Sequence, residues 1–181
     1  MPDPIVVVPY DPKWPVEFRT IGTAIRGALA ELAVRIDHIG STSVVGLDAK
    51  PVIDVQVAVE SFDQCDPIVQ RLAAIGYRYR ADNPDLTKRY FREPPGAKRV
   101  HLHVREHGSW SEQTALLFRD YLRQHPEDCK RYAETKYSLM QQYQHEREHY
   151  VEAKDPIIWE ILRRASGWSK MVGWRPGPSD A

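Results

Sequence analysis

Residues 52–59 read Val-Ile-Asp-Val-Gln-Val-Ala-Val, and this alternation constrains the fold more than any other stretch of the chain. Side chains along a strand point alternately to its two faces. Ile53, Val55, Val57 and Val59 therefore make one uniform apolar face, which must be a core face. Val52, Asp54, Gln56 and Ala58 make the other, which sets two polar groups side by side. Just upstream, Arg35 to Ile39 reads as a short strand broken by Gly40-Ser41-Thr42-Ser43. Glycine lets backbone approach a ligand closely, and successive N–H groups with hydroxyls can hold phosphate oxygens. A carboxylate on the following strand, here Asp54, is placed to hold a hard, oxygen-seeking cation such as Mg²⁺.

The remaining pattern predicts an α+β fold. Ile5–Val8 reads as a first strand or an extended arm. Asp11-Pro12 opens an amphipathic helix from Trp14 to about Ala33. A second helix runs from Ser61 to Ala74 and ends at Gly76. Short strands are expected at 77–80, 88–92 and 99–105, the last alternating Val100, Leu102 and Val104 against His101, His103 and Arg105. From Ser111 to Trp168 helix formers dominate, and Pro126 and Asp155-Pro156 divide the region into about three helices. The chain of 181 residues suits a single domain with its core at 5–168 and a frayed tail at 169–181.

Charge and composition exclude several classes. Twenty-five basic and 25 acidic residues cancel, which gives no global drive toward nucleic acid or membrane. The apolar share of 42% is that of a globular chain rather than a disordered one. Cys65 and Cys129 form no C-x-x-C pair, which argues against a zinc ribbon and suits a reducing compartment. The start, Met-Pro-Asp-Pro, lacks a basic segment and an apolar run, so no signal peptide is expected and the cytoplasm is the expected location.

The segment His38-Ile39-Gly40-Ser41-Thr42-Ser43-Val44-Val45-Gly46-Leu47…Lys50-Pro51-Val52-Ile53-Asp54 resembles the signature of the GrpB family (UPF0157-like). So do Val8 to Pro15, Gly76-Tyr77, His101 to Val104, Phe118 to Arg123, Tyr132-Ala133…Lys136 and Tyr150…Lys154. The likeness spans about Ile5 to Trp168. It implies a nucleotidyltransferase-like mixed sheet with an N-terminal helix and a C-terminal helical layer. Similar domains also occur fused behind dephospho-CoA kinase, which hints at nucleotide or coenzyme A chemistry. Active members of the superfamily carry Asp-x-Asp on the strand and a third carboxylate beside it. Here Gln56 takes the second position, and the neighbouring strand offers His101 and His103.

Three readings of this polar face stay open. The first is a Mg²⁺-dependent nucleotidyltransferase with Asp54 as its catalytic carboxylate, aided by Asp48, Glu93 or Glu106 reaching in. The second is a module that binds a nucleotide, coenzyme A or another small phosphorylated ligand without transfer. The third is a softer ion such as Zn²⁺ on Asp54, His101 and His103, since imidazole suits transition metals better than Mg²⁺. No resident metal at all is compatible with the second. Candidate ligand residues are Gly40, Ser41, Thr42, Ser43, Lys50, Gln56, Arg89, Arg92, His101, His103, Arg119, Arg123 and Lys136. Arg119 and Arg123 share a helical face as a phosphate-facing pair. His145-Glu146-Arg147-Glu148-His149 reads H-E-x-x-H, a zincin pattern, but its flanks are strongly polar and the whole chain resembles another fold.

Overall fold

The computed structural model describes residues 4–181; Met1–Asp3, on which part of the signal-peptide expectation rests, lie outside it. Helix α1 spans Trp14–Leu29 and is followed by a 3₁₀ turn at Ala30–Leu32. Strands β1 (Arg35–Ile39) and β2 (Ile53–Val59) flank the Gly40 loop. Helix α2 (Cys65–Ala74) leads to β3 (Arg78–Tyr79), β4 (Arg89–Arg92) and β5 (Val100–Glu106). Helices α3 (Trp110–Gln124), α4 (Pro126–Gln142), α5 (Arg147–Glu152) and α6 (Asp155–Val172) complete the chain. The sheet order is β1-β2-β5-β4-β3, with only the β2–β5 pair parallel.

The strand alternation translates directly into layers. Ile53, Val55, Val57 and Val59 pack with Leu102, Val104 and Phe91 against Trp14, Phe18, Ile25 and Leu29 of α1 and Ile68 and Leu72 of α2. Full burial of each such side chain favours folding by about 1.5–3 kcal/mol. On the opposite face, Asp54 is level with His101 and Gln56 with His103 in the parallel register. A second core joins α3, α4 and α6 through Tyr121, Leu122, Tyr132, Ile157 and Ile161, and takes in Val44 and Leu47 from the Gly40 loop. The expected α+β sheet with helices before and after it is therefore the observed architecture.

Several expectations need correction. The C-terminal region holds four helices rather than three, because the chain breaks at Tyr143–Glu146 before the short α5. Of the two forms expected for Ile5–Val8, the structure shows the extended arm, which pairs through the isolated bridge of Val8 to Ala49. The tail is not frayed. Helix α6 runs to Val172, and the backbone N–H groups of Asp180 and Ala181 donate to the Ile36 carbonyl. Ser179 Oγ accepts from Ile36 N and Asp180 Oδ2 from His38 N. The physical reason is that β1 is an edge strand, whose outward backbone groups need partners.

Candidate functional site

Gly40 ends β1 with φ 71° and ψ −177°, a combination open in practice to glycine alone. It brings the backbone against Asp54, so close that a Cβ here would lie 3.0 Å from Asp54 Cβ and Cγ and nearer still to Oδ2. The next residues form a 3₁₀ turn fixed by its own hydroxyls. Ser43 Oγ donates to the Gly40 carbonyl and Thr42 Oγ to the Val52 carbonyl. Behind the turn, Arg123 donates twice to the Ser43 carbonyl, at 3.1 and 2.9 Å. From α4, Lys136 Nζ donates to Ser41 Oγ at 3.1 Å and to the Asp48 carbonyl.

A cleft of about 270 Å³ opens in front of this turn. Ser41, Lys50, Asp54, His101, Lys136 and Lys154 supply its polar lining, with Tyr132 and Tyr150 as aromatic walls. Lys50 and Lys154 each sit 5.0 Å from the Tyr150 ring centre, and Lys136 lies 4.5 Å from that of Tyr132. None of the three lysines has an ion-pair partner within 4 Å among the described residues. Burial, reinforced by Lys154 and Arg147, pushes Lys50 down to about 8. Burial, reinforced by Lys154, pushes Lys136 down to about 7, and burial lowers Lys154 too. Burial works against the charge of Asp54, but His101 and His103 outweigh it and hold the carboxyl below its usual range. Burial lowers His103 to about 4 and His38, stacked on Phe18, to about 3.

These shifts fix the sign of the pH dependence. A base with a depressed folded pKa binds fewer protons folded than unfolded between the two values, so stability rises with pH there. For His38 and His103 the window is about pH 3 to 6.5, and for Lys136 and Lys50 about pH 7 to 10.5. The ligand-free protein is expected to melt at a higher temperature at pH 9 than at pH 7, and higher at pH 7 than at pH 5. Calorimetric scans across this range check it; a maximum near pH 5 would contradict the neutral burial of these groups.

The structure gathers Gly40, Ser41, Thr42, Lys50, Asp54, His101 and Lys136 around the cleft, with His103 beside Asp54. Other candidates are engaged elsewhere. Ser43 turns back on Gly40, and Gln56 donates to the Glu112 carbonyl and accepts from Arg105. Arg89 covers the Phe62 ring and Arg92 pairs with Glu93. Arg119 braces the end of β1 and Arg123 the loop from behind, rather than facing a phosphate. Asp48 accepts from Tyr10 N and Tyr137 Oη, Glu93 from Arg92 and Val100 N, and Glu106 from Phe62 N, so none reaches Asp54. The H-E-x-x-H stretch is not one helix: α5 starts at Arg147, and His149 pairs with Glu146. Lys154, Tyr132 and Tyr150 were absent from the candidates. Their signals were the four-residue spacings Tyr132–Lys136 and Tyr150–Lys154.

Mg²⁺ prefers a nearly octahedral set of oxygens. One carboxylate flanked by two imidazoles does not fit it, and the described residues supply no second carboxylate to Asp54. No helix among the described residues is long and apolar enough to cross a membrane.

The family model described as GrpB protein matches residues 4–164. A UPF0157 protein of Pseudomonas aeruginosa is 42% identical over 90% of this chain and 68% of its own length. A protein of Mycobacterium tuberculosis named dephospho-CoA kinase is 36% identical over 96% of this chain, which spans 49% of that protein. Among solved structures, GrpB from Enterococcus faecalis superposes with a TM-score of 0.81 at 33% identity, covering 88% of this chain and 96% of that one. The Cid1 poly(U) polymerase bound to Mg 3'-dATP superposes with a TM-score of 0.51 at 14% identity, covering 74% of this chain and 44% of that one, a likeness of fold alone. By the extent of the family match and of the Pseudomonas and Enterococcus likenesses, this chain belongs to the GrpB family.

Proposed function

We propose that the cleft binds the phosphate groups of a nucleotide or of a coenzyme A-type ligand. The observation that carries this reading is the convergence of Lys50, Lys136 and Lys154 on one cleft, with no ion-pair partner within 4 Å among the described residues and Asp54 as the carboxylate in the cleft's lining. Partly buried cations left uncompensated raise the energy of the free protein, and their lowered pKa values express that cost. A polyphosphate supplies the missing negative charge, and its oxygens accept from three ammonium groups and the Ser41 hydroxyl. The relatives named dephospho-CoA kinase support a nucleotide among such ligands. Phosphoryl or nucleotidyl transfer is outside this reading, because the donor set around Asp54 does not fit the Mg²⁺ such transfer needs.

Charge-assisted hydrogen bonds contribute about 1.5–3 kcal/mol each, so Lys154→Ala is expected to weaken binding of ATP or dephospho-CoA roughly tenfold to 100-fold. Lys154 is only half-buried, so the variant should fold. Titration calorimetry in EDTA against ATP, dephospho-CoA, coenzyme A and pyrophosphate checks this. Heat from one of them that falls with Lys154→Ala supports the site. Silence from all four at millimolar concentration sinks it.

A further inference from the structure

We infer that Asp54, His101 and His103 form a binding site for a divalent transition metal of the zinc class. His103 Nδ1 is buried with no hydrogen-bond partner. Its Nε2 lies 3.6 Å from Asp54 Oδ1, too far for a hydrogen bond. Both polar atoms of a largely buried ring are thus left without a hydrogen bond, an arrangement that normally costs free energy. A metal bound to Nε2 would take up that atom's lone pair.

The partners are already in position. His101 Nδ1 lies 3.1 Å from the same Asp54 Oδ1. The three ligand atoms fall within 4.8 Å of one another. Zinc binds imidazole nitrogen and carboxylate oxygen at about 2.0–2.2 Å, which sets ligand atoms roughly 3.0–3.5 Å apart in a tetrahedral shell. The 3.1 Å separation falls inside that range and the 3.6 Å one lies about 0.1 Å above it. The Oδ2 side of Asp54 lies close against Gly40, which leaves Oδ1 to the imidazoles. Tyr90, level with His103 across the β4–β5 pair, packs against both rings at 5.9 and 5.3 Å between centres and holds their orientation.

Three protein ligands with an open side is the arrangement of zinc that accepts a water or a ligand oxygen, whereas purely structural zinc is closed by four. Asp54 and His101 line the cleft, so the open side faces the lysines. Two nitrogens and one oxygen select zinc, cobalt, iron or manganese over magnesium. The metal site stands apart from the phosphate reading, since it needs neither the lysines nor a nucleotide.

The test is a titration of the full chain, freed of metal, with Zn²⁺ and Co²⁺ in phosphate-free buffer. Cobalt reports its ligands through visible absorption. The expected result is one ion per chain at micromolar affinity or tighter, unaffected by millimolar Mg²⁺. His101→Gln and Asp54→Asn should each weaken it by more than about 100-fold, beyond the loss usual for an outer partner. His101 and Asp54 are part-exposed, and near-UV dichroism confirms that the variants fold. No Zn²⁺ binding to the folded protein would overturn the site. So would binding indifferent to both substitutions, which would place the ion elsewhere, for example at His149 and Glu146. Displacement by Mg²⁺ at equal concentration would overturn the metal class.

Discussion

Arg119→Ala is expected to destabilise the protein by about 3–5 kcal/mol, the usual cost of removing one partner from a buried ionic network. At this chain length the melting temperature should fall by roughly 6–20 °C. Arg119 is 3% exposed. Its Nη1 donates to the His38 carbonyl at 3.1 Å and to Asp180 Oδ2 at 2.8 Å, and its Nε donates to Asp120 Oδ1 at 2.7 Å. It also stands 3.8 Å from Asp37, a carboxylate with no exposure that Arg35 grips through two nitrogens. One guanidinium thus joins α3, the end of β1 and the C-terminal tail. Arg119→Lys should rescue little, because a single ammonium cannot span a fork of this width. Arg164→Ala is the control. It removes pairs with Asp128 and Glu160 from a half-exposed side chain, and should cost less than about 1 kcal/mol. Urea unfolding of the three variants decides. An Arg119→Ala loss no larger than that of Arg164→Ala would mean that the tail and the end of β1 are held by other contacts.

The same residue shows where sequence reading stops. Period-two alternation made the two faces of β2 legible, and with them the position of Asp54, because alternation is a local property of the backbone. The Gly40 turn was legible for the same reason. Arg119 and Arg123 were legible as one helical face, but a four-residue spacing does not say what that face meets. It meets the end of β1 and the back of the Gly40 loop, where Arg119 holds the His38 carbonyl and Arg123 that of Ser43. Gln56 stands two residues after Asp54 and on the same face, yet Arg105 and the Glu112 carbonyl occupy its amide. The cleft was legible only in part, since its lysines come from the loop before β2, from α4 and from the turn between α5 and α6. Lys154 in particular reaches it because the chain breaks after Gln142, the break that also dismantles the H-E-x-x-H pattern. The docking of the tail on β1 joins residues more than 140 positions apart, and no local pattern encodes such a pairing.

Gly40→Ala is the substitution that should most directly couple fold to site, with an expected loss of about 2–6 kcal/mol. Two causes contribute and can be separated. The backbone angles at Gly40 belong to a region that costs another residue about 1–3 kcal/mol. The new methyl group would also meet the Asp54 side chain well inside contact distance, and overpacking of this kind costs about 1–3 kcal/mol. The torsional part is indifferent to Asp54, whereas the steric part vanishes with it. Gly40→Ala should therefore cost only about 1–3 kcal/mol in an Asp54→Gly background, which removes both the carboxylate and its Cβ. The weakening of β2 by the second glycine cancels in the double-mutant cycle. Equal costs in both backgrounds would show that the close approach contributes nothing, and that the loop's conformation alone demands glycine. A smaller cost in the Asp54→Gly background would mean that glycine is required here because the carboxylate stands where a side chain would go. In that case the single variant should also shift Asp54 out of line with His101, and it should lose Zn²⁺ more severely than its stability loss predicts.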